Sequence, residues 1–485
     1  MPEASSEGLF GHLGGRVRRI SPRQRAAAAL IGVATLAAAI IIPARAAGPT
    51  MSPATTTTPV VGIHDSSVNA CDNFESNITA PHYTAAAAAM NDPGWAALHI
   101  HTVRFSPPWD IANPVQVYLP RIEAAQAAHN SRRVAELGNA LRSVYVEQLC
   151  MNYWLASVAA HHLAPEIVFK PDHNYLDESG KMLAVPDIRG YKAAIQAFVN
   201  TYSNCNTPCR LPAVYQGWPS YPAGTGGMAA VKIVSPWGEP DFASSSPVGF
   251  SKKPQILAMP RGGSTFDDPH CAGPETDLTC GPVLAAHMWV AVQHRCNGCS
   301  VIAGDFSSGG GFSTKGGPRS YLHTYAGHLD GERPETWGLH PYTDISNFEF
   351  DTQTHRHLPK LSDTLTGRFA AALHSLGYRE RTRIVLNEIS AFQQRDMYGH
   401  CAERHLPQDC APLAYSAKLQ GEAVKYLITE LVRAGGHSVD GQPAVTGMYY
   451  LRYSDGRGFP YWALVVGGQR QPAYSSIEHR PSPQR

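Results

Sequence analysis

Two short apolar runs in this 485-residue chain each end by presenting a single glutamate. The first, VKIVSPWGEPDF, carries Glu239, and the second, RIVLNEISAF, carries Glu388. A carboxyl group can donate or accept a proton, and a carboxylate can attack an electrophilic carbon, so two such groups could share acid–base and nucleophilic chemistry. The structural alternative makes both glutamates loop carboxylates, with Glu239 capping a helix or pairing with a surface lysine.

Polar side chains also follow the other apolar runs of the chain. They are His64 and Asp65, Arg104, Asp172 and His173, Asp305, His340 with Tyr342, and Tyr453 with Asp455. An isolated aspartate at the end of a run has a structural role more often than a catalytic one. The repetition of polar residues at the end of every run nevertheless favours one shared site.

The runs that carry these residues have the length and composition of β-strands. Each is too short for a helix, is rich in valine, isoleucine and aromatic residues, and is followed by polar or turn residues. The eight runs span residues 59–66, 101–110, 165–173, 231–240, 300–308, 336–344, 383–392 and 445–455.

Amphipathic segments lie between these runs. In 361–377 and 421–436, apolar residues recur every three or four positions, and a glycine follows them. Strand–helix alternation repeated eight times predicts an α/β fold, a (β/α)8 or TIM barrel with long βα loops. Barrels of this kind carry their chemistry at the carboxyl ends of the strands, where the polar residues are found.

The N-terminal residues have the pattern of an export signal. Five arginines lie within 16–25, an apolar run follows at 26–42, and Ala44-Arg45-Ala46 has the spacing of a cleavage site. The apolar run is close to the lower length limit for crossing a bilayer, so an uncleaved anchor stays open. The predicted divisions are a signal peptide or signal anchor at 1–47, a Pro/Thr-rich spacer at 48–58 and a catalytic domain at 59–485.

Ten cysteines support export, because eight of them form local couples that are typical of loop disulfides in an oxidising compartment. The couples are Cys205–Cys209, Cys271–Cys280, Cys296–Cys299 and Cys401–Cys410. Cys71 and Cys150 are a suggested fifth pair, although sequence does not determine connectivity. The alternative makes Cys296 and Cys299 a redox or zinc motif, but no second CxxC lies at metal-finger spacing. The protein is predicted to be secreted or held in the cell envelope, outside the cytoplasm.

The composition argues against several classes of partner. A formal net charge of +1 gives no electrostatic basis for binding nucleic acid. The glycine-rich stretch at 307–317 lacks the Gly-Lys-Ser/Thr ending of a phosphate-binding loop, and no GxSxG motif is present. His99 and His101 alternate on one strand face without a third ligand. We expect no metal, no cofactor and no membrane contact beyond the N-terminal anchor, while the oligomeric state stays open.

Residues 59–476 resemble the retaining glycoside hydrolases with a (β/α)8 barrel, the group of cellulases, mannanases and xylosidases. Trp237-Gly238-Glu239-Pro240 is similar to the Trp-Asn-Glu-Pro-like motif that ends their fourth strand, and Glu388 matches the glutamate that ends their seventh. The resemblance implies that Glu239 is the acid/base and Glu388 the nucleophile. The candidate supporting or substrate-binding residues are Arg104, His340 and Tyr342, which match the same pattern, together with Trp237, Asp172 and Tyr450.

The chain departs from that pattern at two places. Gly238 stands where these enzymes usually have an asparagine whose amide holds the sugar 2-hydroxyl, so recognition of that hydroxyl is left unassigned. The tryptophan platform of the eighth strand is also missing, and Tyr449, Tyr450 or Tyr453 could replace it. The usual gluco- or manno-type substrate is therefore not implied.

The implied chemistry needs two carboxyl groups with different charge states. Cleaving an acetal requires a proton for the leaving oxygen and stabilisation of an oxocarbenium-like centre, so one carboxyl is protonated while the other is charged. Arg104 and the Tyr342 hydroxyl beside Glu388 favour its carboxylate form. Apolar Trp237 beside Glu239 favours the protonated form. A retaining mechanism further predicts carboxyl groups about 5–5.5 Å apart.

The predicted function is an exported retaining glycoside hydrolase that cleaves O-glycosidic bonds of a polysaccharide or glycoside. A carbohydrate is then its partner. Two alternatives use the same residues: a carbohydrate-binding barrel that has lost catalysis, with Gly238 as the sign of that loss, and a transglycosylase of surface polysaccharide.

Overall fold

The computed structural model describes residues 60–64, 90–170, 188–205, 209, 227–241, 281–307, 321–353, 360–391, 416–434, 441–451, 453 and 463–480. The chain divides into two compact units, Met1–Pro53 and Ala54–Arg485, and all the described residues belong to the second. The predicted signal at 1–47, the spacer at 48–58 and the candidate Asp172 lie outside the described residues.

Eight parallel strands close into a barrel in chain order. They are β1 (Val60–His64), β2 (Thr102–Phe105), β3 (Ala164–Val168), β4 (Ile233–Ser235), β5 (Ser300–Phe306), β6 (Thr336–Leu339), β7 (Arg383–Ile389) and β8 (Ala444–Leu451). Each coincides with one of the eight runs that the sequence marks as strands. The predicted TIM-barrel fold is therefore confirmed. A small antiparallel pair, β9 (Val465–Val466) and β10 (Gln469–Arg470), follows the barrel.

The described α-helices lie between and after the strands. They are α1 (Pro93–Ala97), α2 (Pro114–Ala127), α3 (Ser131–Ala160), α4 (Ile188–Phe198), α5 (Gly281–Gln293), α6 (Tyr321–Gly327), α7 (Tyr342–Gln353), α8 (Leu365–Ser375), α9 (Ala417–Tyr426) and α10 (Pro472–Glu478). Two of them continue as π-helices, α4 over Val199–Ser203 and α9 over Leu427–Ala434. A 3-10 turn, Leu361–Asp363, precedes α8. No helix in this part of the chain combines the length and apolar character needed to cross a membrane.

The two helices expected from periodicity are present. The Thr364 hydroxyl caps α8 by accepting from the Gly367 N–H, and the helix ends just before Gly377, as the sequence pattern predicts. In the second segment, α9 begins at Ala417 after the N-cap residue Ser416. The helix continues as a π-helix to Ala434. The long pair α2 and α3 after β2 adds a helix of 30 residues that the sequence analysis did not single out.

Two glycines, Gly62 and Gly338, allow side chains of adjacent barrel strands to pack closely against the backbone. A Cβ on Gly62 of β1 would lie 2.4 Å from the Tyr449 ring of β8. A Cβ on Gly338 of β6 would lie 2.8 Å from Asn387 Nδ2 and 2.9 Å from Asp305. All three distances are shorter than the contacts that a Cβ atom makes, so any residue larger than glycine at position 62 or 338 would displace these neighbours. The side chains of Tyr449, Asn387 and Asp305 thereby pack against glycines of the neighbouring strands.

Two irregularities interrupt the strand ladders where polar residues gather. The register between β5 and β6 shifts between Gly304 and Phe306, which leaves Asp305 as the extra residue. The register between β7 and β8 shifts between Leu386 and Ile389, around Asn387 and Glu388. Such bulges bend a strand and redirect a side chain.

The cysteines agree in part with the sequence analysis. Disulfides join Cys205 to Cys209 and Cys296 to Cys299, as predicted for two of the four couples. Cys150 is a free thiol buried in α3, so the structure contradicts its suggested pairing with Cys71, which lies outside the described residues. The other two couples also lie outside them.

Candidate active site

Glu239 immediately follows the short strand β4 and has an unusual backbone conformation. Its φ of 49° lies in the left-handed region, which costs a residue with a Cβ about 1 kcal/mol or more. Its N–H donates to the Asp305 carbonyl oxygen at 3.0 Å, and the N–H of Gly238 donates to the Phe169 carbonyl at 2.8 Å. These bonds hold the turn after β4 against the ends of β3 and β5.

Glu388 lies near the end of β7 and receives hydrogen bonds on both carboxylate oxygens. Arg104 Nη1 donates to Oε2 at 3.2 Å, and the Tyr342 hydroxyl donates to Oε1 at 2.7 Å. The predicted contacts of Arg104 and Tyr342 with Glu388 are therefore present. Burial alone raises the pKa of the Glu388 carboxyl, but His340, His64 and Arg104 outweigh it and hold the pKa well below its ordinary value.

His64, at the end of β1, is a third partner of Glu388. Its Nδ1 lies 3.2 Å from Glu388 Oε2, and its Nε2 lies 3.0 Å from the Ser106 hydroxyl. Burial lowers the pKa of His64, and Arg104 and His340 add to this effect against the attraction of Glu388. The lowered pKa keeps the ring neutral at pH 7, and Arg104 Nη1 also lies 3.2 Å from its Nδ1.

His340, which follows β6, lies between two carboxyl groups. Its Nδ1 is 2.9 Å from Glu239 Oε1, and its Nε2 is 3.1 Å from Asp305 Oδ1. Burial by itself lowers the pKa of the imidazole, but Asp305, Glu388 and the bond to Glu239 outweigh it and raise the pKa to about 10. His340 is therefore positively charged at pH 7, whereas His64 in the same site is neutral.

Asp305 connects these groups, and the sequence analysis gave it no more than a place among the strand-end residues. One oxygen accepts from Asn387 Nδ2 at 2.8 Å and faces His340, while the other accepts from Arg104 Nη2. Burial alone raises the pKa of Asp305, and Arg104 and His340 reverse the effect, so the pKa is lowered. Asp305 has a φ of 63° and is the extra residue of the β5 bulge, and this backbone geometry directs its side chain into the barrel.

Arg104 on β2 is the cation at the centre of the barrel interior. It bonds Glu388 and Asp305, and its Nε donates to Glu166 Oε1 at 3.0 Å. Burial lowers the pKa of Arg104, but the carboxylates of Asp305, Glu166 and Glu388 more than offset it and raise the pKa. The guanidinium therefore stays charged although it is 1% exposed.

Glu166 on β3 is a functional-site neighbour that the sequence analysis missed. It is fully buried beneath Arg104, and Tyr449 of β8 hydrogen-bonds to it. Burial raises the pKa of Glu166 to about 7, against the opposing effect of Arg104. A carboxylate inside the apolar run PEIVFKPDH is the signal that could have identified it.

A single chain of contacts therefore links the two candidate catalytic residues. It runs from Glu239 through His340, Asp305 and Arg104 to Glu388. The side chains of Glu239 and Glu388 are 21% and 23% exposed, whereas the three connecting side chains are at most 2% exposed. Each end of the chain of contacts is thus a carboxyl group that reaches solvent at the carboxyl end of a barrel strand.

Two sequence-predicted residues have other positions than expected. Trp237 is 2% exposed and lies in the core with Tyr191, at 6.5 Å between ring centroids. Glu239 hydrogen-bonds to the charged imidazole of His340, which corrects the expectation of apolar surroundings for its carboxyl group. Tyr450 is fully buried and its hydroxyl bonds Gln420 of α9.

Strand alternation explains why Tyr450 cannot serve as a platform. Neighbouring residues of a strand point to opposite faces. Tyr449 points into the barrel towards Glu166, so Tyr450 points outward against α9. The prediction that Tyr450 replaces the missing tryptophan is wrong. Tyr449 and Tyr453 are buried as well.

Gly238 does not leave an open space for a side chain. A Cβ at this position would lie 3.2 Å from Val168 Cγ2 and 3.8 Å from Asp305 Oδ2. Any side chain at position 238 would therefore require the Val168 side chain to move by a few tenths of an ångström. Within the described ranges, no group of three or more histidine, cysteine, aspartate or glutamate residues could hold a metal ion.

Neither a protein-family model nor a curated protein matches the sequence. Solved structures do match it. GH5_18 from Streptomyces cattleya, solved with GlcNAc, is 12% identical, with 87% of this chain and 80% of that chain covered and a TM-score of 0.43. A GH39 β-xylosidase from Caulobacter crescentus is 12% identical over 87% and 71%, with a TM-score of 0.42.

A further match is a family 39 glycoside hydrolase from Bacteroides cellulosilyticus. It is 11% identical, with 87% of this chain and 63% of that chain covered and a TM-score of 0.43. These three structures are glycoside hydrolases of families 5 and 39. In this chain the barrel is closed by eight parallel strands.

Proposed function

We propose that this protein is an exported retaining glycoside hydrolase in which Glu239 is the acid/base and Glu388 the nucleophile. The observation that carries the proposal is the pair of partly exposed carboxyl groups at the two ends of one buried network. Their partners differ in kind: Glu388 is bound by a guanidinium, a phenol and a neutral imidazole, and Glu239 by a charged imidazole.

The surroundings of Glu388 suit a nucleophile. Its lowered pKa keeps the carboxylate charged at neutral pH, so it can attack the anomeric carbon without first losing a proton. The bond from Tyr342 to Oε1 and the bonds to Oε2 fix the plane of the carboxylate. Attack then replaces the glycosidic C–O bond with a bond from Glu388 to the sugar.

Glu239 is positioned to supply and recover a proton. In the first step it protonates the leaving oxygen, and in the second it takes a proton from the water that releases the sugar from Glu388. Its backbone is held by Asp305 and its carboxyl by His340, so the group has a fixed orientation while remaining accessible to solvent. The sugar, the linkage and endo or exo action are left open by these contacts.

The decisive experiment is to trap the intermediate. A panel of 2-deoxy-2-fluoro glycosides with dinitrophenyl leaving groups is incubated with purified residues 48–485, and the labelled peptide is sequenced by mass spectrometry. We expect the label on Glu388 and none on the Glu388→Gln variant. The matched control is Glu335→Gln, whose side chain is 82% exposed just before the first residue of β6, and it should label normally.

The same experiment separates the alternatives. A carbohydrate-binding barrel without catalysis would bind sugars but never acquire a label or release dinitrophenol. A transglycosylase would acquire the label and then transfer the sugar to added acceptors rather than to water. The export part of the proposal is tested separately: protein isolated from its native host should lack most of residues 1–46 or be membrane-held through them, and eight or more reactive thiols would contradict it.

A further inference from the structure

His340 has a carboxyl group on each ring nitrogen, and the two carboxyl groups have different surroundings. Both oxygens of Asp305 accept hydrogens from other donors, Asn387 Nδ2 at 2.8 Å on one and Arg104 Nη2 on the other. Against the effect of burial, the guanidinium of Arg104 and the imidazole of His340 hold the pKa of Asp305 below its ordinary value, so Asp305 is ionised and can only accept. His340 Nε2, at 3.1 Å from Asp305 Oδ1, therefore carries a hydrogen.

The second nitrogen faces Glu239 Oε1 at 2.9 Å. The charged and titratable groups around the ring come from five strand ends: Glu239 after β4, Asp305 on β5, Glu388 on β7, Arg104 on β2 and His64 on β1. Glu388 and Asp305 are both ionised, and His64 is neutral. The negative groups that act directly on His340 thus favour a hydrogen on both ring nitrogens.

We propose that Asp305 is a positioning residue that holds His340 as an imidazolium, whose Nδ1–H donates to Oε1 of Glu239 and orients the carboxyl group that exchanges the catalytic proton. This inference rests on the proposed function, because it assigns Glu239 the role of acid/base. Asp305 itself touches no substrate and acts through His340.

The protons and charges of the step balance without further reactants. In the first half-reaction the Oε2–H bond of Glu239 breaks, the proton goes to the leaving oxygen with the electron pair of the glycosidic bond, and Glu388 bonds to the sugar. Glu239 becomes a carboxylate beside the imidazolium, and a hydrogen bond between two charged groups is stronger than one to a neutral acid. In the second half-reaction the water oxygen bonds to the anomeric carbon, the bond from Glu388 to the sugar breaks with its electron pair returning to the carboxylate, and a proton of the water returns to Oε2 of Glu239. His340 keeps both hydrogens throughout.

The fold supports this role of Asp305 through its backbone as well. Asp305 is the extra residue of the β5 bulge, with φ 63°, and its carbonyl accepts from the Glu239 N–H at 3.0 Å. Asp305 therefore holds Glu239 twice, once by the main chain and once through His340. Replacing the Asp305 carboxylate by an amide removes only the second connection.

The kinetic test compares leaving groups in Asp305→Asn. We expect kcat/KM for glycosides with poor, alkyl-type leaving groups to fall by about 10- to 100-fold more than kcat/KM for dinitrophenyl glycosides, which is below the roughly 100- to 10,000-fold attributable to general acid catalysis. Dinitrophenyl glycosides need no proton, so their own loss measures the effect of Asp305→Asn on Glu388 through Arg104. In a His340→Gln background Asp305→Asn should leave the dependence on the leaving group unchanged. Equal losses for good and poor leaving groups in both backgrounds would overturn the proposal.

A matched control is Asp241→Asn. Asp241 is also a buried aspartate at the carboxyl end of the barrel, but it accepts from the Ser307 N–H at 2.7 Å and lies outside the chain of contacts between Glu239 and Glu388. Its substitution should alter good and poor leaving groups alike. If Asp241→Asn reproduces the selective loss of kcat/KM for poor leaving groups, that loss results from altered packing, and the proposed action of Asp305 through His340 is wrong.

A measurement on the unsubstituted protein tests the charge state without requiring activity. In ¹⁵N-histidine spectra the resonances of His340, assigned by their loss in His340→Gln, should be those of an imidazolium up to pH 8, and Asp305→Asn should make the ring neutral at lower pH. A neutral His340 at pH 7 in the unsubstituted protein would overturn the proposal even if Asp305→Asn does not fold. Protein that hydrolyses no glycoside but shows this imidazolium would instead contradict the proposed function alone.

Discussion

Replacing Glu166 with glutamine should change how the stability of the protein depends on pH. Glu166 is fully buried, and its pKa is raised from 4.5 to about 7, chiefly by burial and against the effect of Arg104. An acid whose pKa is higher in the folded state binds its proton more tightly there. Its stabilising contribution is complete below pH 4.5 and is lost as the pH rises towards 7.

The magnitude follows from the two pKa values. They differ by about 2.5 (7 − 4.5), and each whole step corresponds to about 1.4 kcal/mol, so ionising Glu166 costs the folded state about 3 kcal/mol. Glutamine has nearly the same shape and does not ionise. The free energy of unfolding of Glu166→Gln, relative to that of the unsubstituted protein, should therefore rise by about 3 kcal/mol between pH 4 and pH 8.

The assay is equilibrium urea unfolding of both proteins at a series of pH values with the disulfides intact. Titrating groups that do not contact Glu166 contribute equally to the two proteins, so the difference reports Glu166 together with its coupling to Arg104 and Asp305. Glu335→Gln, at an 82% exposed side chain, is the control and should give a constant difference. A difference for Glu166→Gln that stays constant to within about 0.5 kcal/mol from pH 4 to pH 8 would refute the reasoning, because Glu166 would then have the same pKa folded and unfolded.

The remaining predictions concern catalysis and geometry. Glu388→Ala should abolish turnover of every substrate, whereas Glu239→Ala should spare dinitrophenyl glycosides and be rescued by azide with retained configuration; near-normal rates for Glu388→Ala would contradict the nucleophile. Tyr342→Phe removes a hydrogen bond to a charged group worth about 1.5–3 kcal/mol, so kcat/KM should fall about 10- to 100-fold in steady-state assays, and an unchanged value would remove Tyr342 from the mechanism. A crystal structure should place the Glu239 and Glu388 carboxyl groups about 5–5.5 Å apart, and more than about 10 Å would exclude direct attack.

The network also indicates how the effects of these substitutions should be related to one another. Glu239 and Glu388 both depend on Asp305, one through His340 and the other through Arg104. Tyr342 hydrogen-bonds to Glu388, and its ring also packs against His340 at 6.3 Å between ring centroids. Substitutions within one network are expected to be non-additive, so the effect of a double substitution should differ from the sum of the two single effects.

The sequence by itself determined the strands and the two glutamates. Short apolar runs with a polar ending specify a buried parallel strand and its carboxyl end, because both faces of such a strand are covered and its last residues meet solvent. Closure of the barrel then brings Arg104 and Tyr342 to Glu388 without further information. The strands and their polar ends follow from local pattern and chain order, whereas the pairing of Arg104 and Tyr342 with Glu388 was expected from the resemblance to the (β/α)8 glycoside hydrolases.

Only the tertiary structure decided the partners inside the barrel. Asp305 faces His340 and Arg104 at a register shift that no local pattern marks, and Glu166 is a buried acid because Arg104 and Tyr449 come from other strands. Tyr450 turned out to face α9, since the choice between two faces of a strand depends on closure. Charge states are fixed by neighbours distant in sequence and by exclusion of water, and these exist only in the folded chain.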